Sequence, residues 1–482
     1  MTLYEVLNGL DVQSGIPDVE ITSLTCDSRQ AGEGCLFFCI EGTRSDGHDF
    51  AAAALERGAA AVVCRKDLGL PRQILVPDTR EALGVCCNNF FGCPADKLTL
   101  MAVTGTNGKT TITYLIKHIL EKAGHRVGLI GTIHNEIDDV TLPARYTTPD
   151  PIQLYAIFAK MVEAGCTHVV MEVSSHALDQ QRVAGCHFAT AAFTNLTQDH
   201  LDYHGSMEQY YQAKKKLFSI CDVGIINMDD EYGRRLLSEV PCETISYSYQ
   251  NVEADFTAHS INFALKDSRF ALMARDRLYR VKMTTPGYFS VSNALAALAS
   301  CDAVGVPLEE AVKALEDFPG VVGRIEILPT NTPYTVIRDY AHSPDGLQKI
   351  LETVREFAPG RVVCLFGCAG NRDRTKRPKM ASVVARLADF CILTSDNPRD
   401  EDPMRIIEDA LPGFEPFNTP YKVIVDRYEA IEWALKNAQK DDVLILAGKG
   451  HEDYQVLPYG TIHFDEKEIV LKILKEMEEN AQ

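Results

Sequence analysis

Short apolar runs alternate with amphipathic stretches along the middle of this chain. Apolar residues recur at helical spacing between runs of strand length, which lie at residues 98–103, 168–173, 189–195 and 223–227. This alternation is typical of βαβ units, which build a parallel sheet. Residues 255–283 carry shorter segments of alternating polarity, and we expect them to form an antiparallel patch at the edge of that sheet.

The segments on either side predict two further domains. Apolar runs at 35–40 and 59–64, beside an alanine-rich helical stretch at 50–56, indicate a small α/β domain. A second series of strand candidates, separated by helical stretches, lies at residues 334–339, 361–366, 390–394, 422–425 and 443–447. This series predicts a doubly wound, Rossmann-like sheet, although it lacks the G-x-G-x-x-G of a dinucleotide site. The predicted fold is α/β in three domains, at residues 1–97, 98–329 and 330–482.

A glycine-rich turn joins the first strand of the middle segment to the helical stretch that follows it. Residues 103–111 read VTGTNGKTT, where Lys109 can reach a terminal phosphate and the Thr110 hydroxyl can ligate magnesium. Val103 stands where the general P-loop has glycine, so the pattern is a shortened version, and a glycine turn with an incidental lysine is the alternative. The predicted phosphate contacts are Gly105, Thr106, Asn107, Gly108, Lys109, Thr110 and Thr111.

Composition and charge narrow the class of protein. The chain has 482 residues, of which 46% are hydrophobic and 24% charged, as in ordinary globular proteins of more than one domain. Its net charge of −19 argues against binding to nucleic acid or to an anionic membrane, so an anionic substrate would need local basic pockets.

The cysteines and the apolar runs predict a cytoplasmic protein. The fifteen cysteines are odd in number, scattered and without a C-x-x-C pair, so we expect reduced thiols and neither zinc nor a disulfide framework. No run approaches the length of a membrane span, and the N-terminus lacks a basic stretch followed by an apolar run. We therefore expect neither export nor membrane insertion.

Three residues of the middle segment are candidates for metal chemistry. Glu172 ends a predicted strand and would lie near the tip of the phosphate loop, where a carboxylate could bind magnesium; a solvated glutamate is the alternative. His200, in QDHLDYH, is a candidate metal ligand or phosphate contact, although a lone histidine is usually structural. Lys214 lies in the run AKKKLF, which composition alone predicts to be an exposed basic turn of helix.

The last segment carries candidates for binding an amino acid. A basic run at 372–379 follows a predicted strand, which in an acidic protein favours a carboxylate or phosphate site over an RNA site. Asp396, Asn397 and Arg399 combine an acid, an amide and a forked cation, which could hold a zwitterion. A surface Asx-Pro turn is the alternative.

Taken in order, these motifs resemble the Mur ligase family over nearly the whole chain. The matches are DSR at 27–29, DGH at 46–48, GTNGKT at 105–110, TTP at 147–149, EVSSH at 172–176, DHLDYH at 199–204, Asn293, Arg324, DYAH at 339–342, DNPR at 396–399 and GKGHE at 448–452. The resemblance is closest to the branch that adds meso-2,6-diaminopimelate to UDP-N-acetylmuramoyl-L-alanyl-D-glutamate. It implies an ATP-dependent amide ligase of peptidoglycan precursor synthesis, with an acyl-phosphate intermediate and release of ADP and phosphate.

The resemblance also implies roles for individual residues. Catalytic roles fall to Lys109, Glu172, His200 and Lys214. Two magnesium ions would be held by Thr110, Glu172, His200 and a carbamylated Lys214. Adenosine and phosphate contacts, between the last two domains, fall to Asn293, Arg324, Asp339 and His342. The uridine-nucleotide substrate would contact Ser28, Thr147, Thr148, Ser174, Gln180 and Arg182. Diaminopimelate would contact Arg372, Asp396, Asn397, Arg399, Gly448 and Glu452.

The choice of amino acid depends on the turn at 396–399. Family members that use diaminopimelate read DNPR there, whereas lysine users commonly lack the arginine. Arg399 and Arg372 could clamp the distal carboxylate of diaminopimelate but would face a like charge in lysine. Some members have aspartate where Asn371 precedes Arg372. The alternatives are a lysine-adding ligase, folylpolyglutamate synthase or a non-catalytic nucleotide-binding regulator; the expected partners are small molecules, and we expect a monomer.

Overall fold

The computed structural model describes residues 1–12, 15, 17–42, 45–138, 140–264 and 267–480. Contacts within the chain divide it into two compact units. The first comprises Met1–Leu196, Ser206–Ser246 and Ala296–Ala311, and the second comprises Thr197–Gly205, Tyr247–Leu295 and Val312–Gln482. None of the helices in the described ranges combines the length and apolar character that crossing a bilayer requires.

A small parallel sheet opens the first unit. Its strands, in spatial order, are β1 (Ser23–Thr25), β2 (Cys35–Phe38), β3 (Ala61–Cys64) and β4 (Gln73–Leu75). The accompanying helices are α1 (Leu3–Val6), α2 (Ala51–Glu56) and α3 (Thr79–Phe90). Every residue of β2 and β3 is buried, which explains their uninterrupted apolar sequences. The α/β character predicted for this segment is confirmed.

The main sheet of the first unit surrounds the strand that precedes the phosphate loop. Its strands are β5 (Thr99–Thr104), β6 (Val127–Ile130), β7 (His134–Ile137), β8 (Val140–Pro143), β9 (His168–Glu172), β10 (Phe188–Phe193), β11 (Cys221–Asn227) and β12 (Glu243–Ser248). They run in the order β12-β11-β10-β5-β9-β6-β7-β8. Pairing is parallel from β11 to β6, whereas β7 and β8 are antiparallel. The four strands predicted in this segment are confirmed.

The helices of this region follow the βαβ pattern. They are α4 (Lys109–Lys122), α5 (Pro151–Glu163), α6 (Ser175–Asp179), α7 (Leu201–His204), α8 (Met207–Lys215) and α9 (Glu231–Glu239). Of these, α7 belongs to the second unit. Register places Val103 of β5 beside Glu172 of β9, so the candidate carboxylate emerges next to the phosphate loop. The parallel topology thus brings together two motifs that lie about seventy residues apart in sequence.

The second unit begins with the predicted antiparallel patch. It contains β13 (Phe256–Ala264), β14 (Asp267–Ala274) and β15 (Arg277–Met283), paired antiparallel. The last residues of β12 run parallel to β13. Buried residues alternate with more exposed ones along β14, as its sequence of alternating polarity predicts. The chain continues into α10 (Tyr288–Ala303) and α11 (Leu308–Ala314), of which residues 296–311 belong to the first unit.

The rest of the second unit is an open α/β layer. Its strands, in chain order, are β16 (Glu326–Ile327), β17 (Thr335–Asp339), β18 (Val362–Cys368), β19 (Phe390–Ser395), β20 (Tyr421–Val423) and β21 (Val443–Ala447). Their spatial order is β16-β17-β21-β18-β19-β20, and all pairs are parallel except β16 with β17. Because β16 already pairs with β17, this sheet begins before residue 330; the three predicted domain boundaries stay a prediction.

Five helices and a hairpin complete this layer. The helices are α12 (Pro344–Phe357), α13 (Lys376–Leu387), α14 (Pro403–Ala410), α15 (Arg427–Asn437) and α16 (Glu466–Asn480). The hairpin consists of β22 (Tyr454–Leu457) and β23 (Gly460–His463). Every residue of β18 and β21 is buried. Ligands of open sheets gather beyond the carboxyl ends of the strands, where the predicted amino-acid site lies.

Candidate active site

The phosphate loop, residues 105–108, connects the end of β5 to the start of α4. Gly105 and Gly108 have φ values of 142° and 89°, which a side chain disfavours. A Cβ atom on Gly105 would lie 1.8 Å from Oγ1 of Thr194. Glycine is therefore required at Gly105 by both space and conformation, as expected of a backbone cradle.

The end of β10 holds this loop in place. Thr194 donates its hydroxyl hydrogen to the carbonyl of Asn107 over 2.6 Å, and the amide nitrogen of Asn107 donates to Oδ1 of Asn195 over 3.1 Å. The backbone amide of Thr106 donates to the carbonyl of Asn195 over 2.8 Å. The sequence motifs did not reveal Thr194 and Asn195; their only signal is that they close the strand predicted at residues 189–195.

Two lysines bring positive charge to the loop. Lys109 donates to the carbonyls of Gly105 and Thr106 over 3.0 and 2.9 Å. Lys214 of α8 donates to the Gly105 carbonyl over 2.8 Å. Two ammonium groups beside one turn, at the N-terminus of α4, suit a polyphosphate.

Lys214 corrects the interpretation based on composition. Its side chain is only 1% exposed and packs with its ammonium 4.8 Å from the ring centre of Tyr210. The predicted exposed basic turn is wrong for this residue, because α8 turns it toward the loop. The neighbouring Lys215 and Lys216 are partly exposed and pair with Glu239 and Asp179.

Glu172 reaches the first turn of α4, as predicted. Its Oε1 accepts hydrogen bonds from the Thr110 hydroxyl over 3.0 Å and from the Thr132 amide over 2.8 Å, and its Oε2 accepts from the Thr132 hydroxyl over 3.0 Å. The carboxylate is 1% exposed. Hard oxygen atoms of Thr110 and Glu172 at this separation fit a magnesium ion. Thr132, which no motif marked, holds both carboxylate oxygens.

The predicted contacts of the uridine-nucleotide substrate gather around Glu172. Thr148 donates its hydroxyl hydrogen to the Glu172 carbonyl over 2.9 Å and accepts from the amide of Ser174 over 3.1 Å. Arg182 donates to the Thr148 carbonyl over 2.8 Å and to Oε1 of Gln180 over 2.8 Å. The structure therefore brings four residues from separate motifs into one network.

Two more predicted residues lie in the first unit. The hydroxyl oxygens of Thr147 and Thr132 are 3.1 Å apart, which joins Thr147 to the same network. Ser28 begins a 3₁₀ turn capped by Asp27 in the N-terminal region, and its carbonyl accepts from the Arg57 guanidinium.

The N-terminal DGH motif forms a structural network. His48 is buried; its Nδ1 lies 2.6 Å from Oδ1 of Asp46, and its Nε2 accepts from the Arg65 amide over 3.1 Å. Glu41 lies close enough to complete a three-residue group that could hold a metal ion. Both ring nitrogens of His48 are already engaged, so this group is a poor metal site.

The predicted adenosine contacts belong to the second unit, where three of them meet around Tyr340. Asp339 accepts hydrogen bonds from the amides of Ile325 and Ala341, each over 2.8 Å. Burial raises the pKa of Asp339, and the charge of Arg324 opposes this shift. The Arg324 guanidinium lies 4.5 Å from the Tyr340 ring centre.

His342 and Asn293 complete this set. Nδ1 of His342 lies 2.8 Å from the Tyr340 carbonyl oxygen. Asn293 of α10 is 3% exposed, and its buried Nδ2 has no hydrogen-bond partner among the described residues. An unsatisfied buried amide donor suits a polar ligand.

His200 also belongs to the second unit. It has a φ of 52° and lies 3.4 Å from the carboxylate of Asp199. Burial, which by itself would raise the pKa of Asp199, is outweighed by the charges of His200 and Lys376, and the pKa falls to about 2. Lys376 pairs with Asp199 over 3.0 Å.

A buried lysine organises the predicted amino-acid pocket. Lys449 is fully buried and lies 3.1 Å from Oδ1 of Asn397, 3.2 Å from Oε2 of Glu452 and 3.6 Å from Oδ1 of Asp396. No role was predicted for Lys449 itself, although it lies inside the GKGHE motif. Oδ1 of Asp396 accepts no hydrogen bond from the described residues, so it offers a place for a substrate ammonium. Gly448, with φ 118°, packs against the same aspartate.

Some cations of the basic run at 372–379 form ion pairs within the protein, whereas others could bind a ligand. Arg374 and Arg377 pair with Asp409, and Lys376 pairs with Asp199. Arg372 is exposed, and no ion pair of its guanidinium is found among the described residues. Lys379 is also exposed but lies on α13, so of the five cations Arg372, on the loop after β18, is the best placed to meet a ligand carboxylate.

Arg399 connects the loop of the predicted amino-acid pocket to the loop that precedes the basic run. It is half-buried and donates to the carbonyl of Gly370 over 2.6 Å. Its amide donates to the carbonyl of Val456 in the hairpin over 3.0 Å. The two predicted arginines thus lie on loops that touch.

The P-loop with its buried carboxylate is typical of enzymes that use a nucleoside triphosphate, and the acid-and-arginine pocket of the second sheet has groups suited to an amino acid. Family models for the Mur ligase family catalytic domain, the Mur ligase middle domain and the Mur ligase glutamate ligase domain match residues 20–90, 103–301 and 323–450. The chain belongs to the Mur ligase family.

Individual relatives agree with this assignment. The UDP-N-acetylmuramoyl-L-alanyl-D-glutamate–2,6-diaminopimelate ligase 1 of Clostridium acetobutylicum is 45% identical, covering 95% of this chain and 96% of its own. A solved structure of a ligase of the same name is 33% identical, with a TM-score of 0.72 and 95% coverage of both chains. The MurF ligase of Thermotoga maritima, solved with ADP, shares the fold at 18% identity and a TM-score of 0.62, covering 95% of this chain and 98% of its own.

Proposed function

We propose that the protein is an ATP-dependent ligase that adds meso-2,6-diaminopimelate to UDP-N-acetylmuramoyl-L-alanyl-D-glutamate in the synthesis of peptidoglycan precursors. Relatives named for this reaction match nearly the whole chain. The observation that carries the choice of amino acid is the pocket of the second unit, where Asp396 and Glu452 lie beside the turn of Arg399. Acids for an ammonium and arginines for carboxylates match a diamino dicarboxylic acid.

The reaction needs activation of an unreactive carboxylate. The glutamyl carboxylate of the nucleotide substrate attacks the γ-phosphorus of ATP, forming an acyl phosphate and releasing ADP. The amine of diaminopimelate then attacks the acyl carbon, and the tetrahedral intermediate expels phosphate as the amide forms and the amine loses a proton. Lys109 and the amides of residues 105–108 would bind the phosphates and offset the charge repulsion.

Magnesium fits the first unit. We assign Thr110 and Glu172 as its ligands because their oxygen atoms lie together, and a bound divalent cation neutralises phosphate charge during transfer. The family resemblance adds His200, and Lys214 as a carbamate, for two ions. A buried amine that loses its proton can take up carbon dioxide and become an anionic oxygen ligand, and Lys214 is buried beside the phosphate loop.

The substrate contacts follow the observed clusters. The nucleotide-peptide substrate is assigned to Ser28, Thr147, Thr148, Ser174, Gln180 and Arg182. The adenosine and phosphates of ATP are assigned to Asn293, Arg324, Asp339 and His342 together with the loop at 105–111. Diaminopimelate is assigned to Arg372, Asp396, Asn397, Arg399, Gly448 and Glu452. The unsatisfied Nδ2 of Asn293 and Oδ1 of Asp396 support the last two assignments.

We further propose that the enzyme works as a monomer in the cytoplasm on small-molecule substrates. All fifteen cysteines, each in the described part of the chain, are free thiols, as a reducing compartment favours. The strongly acidic net charge of −19 does not suit binding to nucleic acid.

Product analysis tests the proposal directly. The purified protein would receive ATP, magnesium, UDP-N-acetylmuramoyl-L-alanyl-D-glutamate and equal concentrations of diaminopimelate and lysine, and mass spectrometry would identify the product. We expect the diaminopimelate adduct to dominate. A lysine adduct would instead favour the lysine-adding alternative, and ADP release with folylglutamate in place of the nucleotide would favour the folylpolyglutamate synthase alternative. If ADP release did not depend on an amino acid, the result would favour the non-catalytic nucleotide-binding regulator.

A further inference from the structure

Two loops that carry the pocket arginines cross at the carboxyl edge of the six-stranded sheet. One follows β18 and carries Arg372, and the other follows β19 and carries Arg399. The Gly370 amide donates to the carbonyl of Asn397 over 2.9 Å, so the loops are bonded backbone to backbone. A Cβ atom on Gly370 would lie 1.9 Å from the carbonyl oxygen of Pro398, so the crossing tolerates only glycine.

Both loops hold a non-glycine residue in the left-handed conformation near this crossing. Asn371 has a φ of 53° and Arg399 a φ of 55°. Such residues carry a conformational cost, and surrounding contacts must hold them there. Nδ2 of Asn371 donates to Oδ2 of Asp400 over 2.9 Å, which supplies one such contact.

Glu401 supplies further contacts between the two loops. Its Oε1 accepts from the backbone amide of Asn371, and its two oxygens accept from the two terminal nitrogens of Arg377 over 2.9 and 3.0 Å. Arg377 is 2% exposed and also donates to the Ala369 carbonyl over 3.3 Å. One carboxylate thus ties the loop of Arg399 to the loop of Arg372 at two points.

Two guanidinium groups that face one ligand repel each other, so their loops must be held at the correct spacing. A bidentate clamp on a carboxylate depends closely on geometry, and a displacement of about 1 Å can cost up to about a hundredfold in rate. Neither Glu401 nor Arg377 is assigned to any ligand. In the described part of the chain, the hydrogen bonds found for their side chains join them to each other, to the two loops and to Asp409.

We propose that Glu401, held by Arg377, is a positioning residue that sets the spacing of Arg372 and Arg399 and so makes the pocket selective for an amino acid with a second carboxylate. This rests on the proposed function, in which both arginines bind the distal carboxylate. Lysine has no such carboxylate, so its use does not depend on this spacing.

The test compares Glu401→Ala with the conservative Glu401→Gln. Arg377 also pairs with Asp409 over 2.7 Å, and neither substitution removes this partner, so we expect α13 to stay packed on α14. Glu408→Ala is the matched control, because Glu408 is an exposed acid on α14. Asn371→Gly is an independent variant that removes the bond to Asp400 and relieves the left-handed backbone. Melting temperatures verify that each variant is folded.

The readout is the KM and kcat for diaminopimelate, and the kcat/KM for lysine, in the same preparations. We expect Glu401→Ala to raise the KM for diaminopimelate about tenfold, with most of the effect in KM, and to leave kcat/KM for lysine within about twofold. Glu401→Gln keeps one acceptor oxygen, which can still serve the Asn371 amide and one nitrogen of Arg377, so we expect a smaller rise. Asn371→Gly should shift KM in the same direction as Glu401→Ala.

The possible failures are distinguishable. An unchanged KM in Glu401→Ala, or an equal loss with both amino acids, would overturn the positioning role while the wild-type activity stands. A wild-type protein that releases no ADP with diaminopimelate would overturn the proposed function and this inference with it. A loss in Glu408→Ala equal to that in Glu401→Ala would show that the effect is general and would also overturn the inference.

Discussion

The hydroxyl of Thr110 donates a hydrogen bond to Oε1 of Glu172 over 3.0 Å, joining the first turn of α4 to the end of β9. The contact exists because β9 lies beside β5 in register, so the two strands end at the same edge. A hydroxyl and a buried carboxylate next to the phosphate loop are the hard oxygen ligands on which the proposed magnesium site rests.

Glu172→Gln should therefore impair metal use. The amide keeps the volume of the side chain but is a weaker ligand for a divalent cation, so we expect kcat to fall about a hundredfold or more and the magnesium concentration for half-maximal rate to rise. Magnesium titration of the rate of ADP release measures both. Glu163→Gln, at an exposed position of α5, is the control. An unchanged magnesium requirement would contradict the assignment.

Lys109→Ala should abolish ADP formation and leave binding of the nucleotide-peptide substrate detectable. Lys109 begins α4 and donates to the phosphate loop, whereas the predicted substrate contacts lie around Glu172 and Thr148. ADP release and calorimetric titration with UDP-N-acetylmuramoyl-L-alanyl-D-glutamate separate the two effects. Lys122→Ala, at the exposed end of the same helix, should behave like the wild type. Retained turnover in Lys109→Ala would contradict the assignment of Lys109 to phosphate binding.

The sequence predicted correctly those strands that are buried on both faces of a sheet. Apolar runs such as those of β5 and β21 are continuous because helices or other layers cover both sides, and this makes them visible in sequence. The short β16, two residues long, gives no such signal and escaped prediction. Its pairing with β17 is a tertiary contact that local sequence does not encode.

The candidate site was predictable where a motif fixes local chemistry. Glu172 emerged beside the phosphate loop because parallel topology aligns strand ends. Lys214 was misjudged from composition because a run of three lysines does not show which one faces inward. Likewise, the sequence did not show that Arg377 forms an ion pair with Glu401, because the two residues are 24 positions apart.

Lys214→Ala should lose activity that a small anion restores. If Lys214 acts as a carbamate, its removal deletes an anionic ligand, and chloride or a short carboxylate could partly replace it in the space left by the buried side chain. We expect a loss of about a hundredfold and a measurable gain on adding the anion. The matched control is Lys215→Ala, which removes the next lysine and its ion pair with Glu239. Carbamylation would be excluded if neither anions nor raised carbon dioxide altered the rates of the variant and the wild type.

Glu136→Gln should lower stability at neutral pH but not in acid. Burial by itself would raise the pKa of Glu136, but hydrogen bonds from His134 and Lys117 outweigh it and lower the pKa from 4.5 to about 2. A lowered pKa stabilises the fold above about pH 4.5, and this contribution disappears as pH falls toward 2. The shift corresponds to about 3 kcal/mol.

Urea unfolding midpoints of wild type and Glu136→Gln at pH 7, 5 and 3 would measure this contribution. The gap between the two proteins should narrow steadily toward low pH. Glu121→Gln, which removes a more exposed partner of the same Lys117, should change the midpoint little at any pH. A gap that is independent of pH would mean that Glu136 contributes through packing alone.

Arg399→Ala should raise the KM for diaminopimelate by about a hundredfold, which corresponds to about 2 to 3 kcal/mol for a charge-assisted bidentate contact. The backbone at Arg399 is left-handed, and alanine bears that strain about as well as arginine does, so the change isolates the guanidinium. Arg399→Lys keeps the charge but not the fork and should recover only part of the affinity. Arg405→Ala, at an exposed position of α14, is the control. Steady-state kinetics with diaminopimelate as the varied substrate would measure these KM values. An unchanged KM in Arg399→Ala would show that residues other than Arg399 determine the selectivity for diaminopimelate.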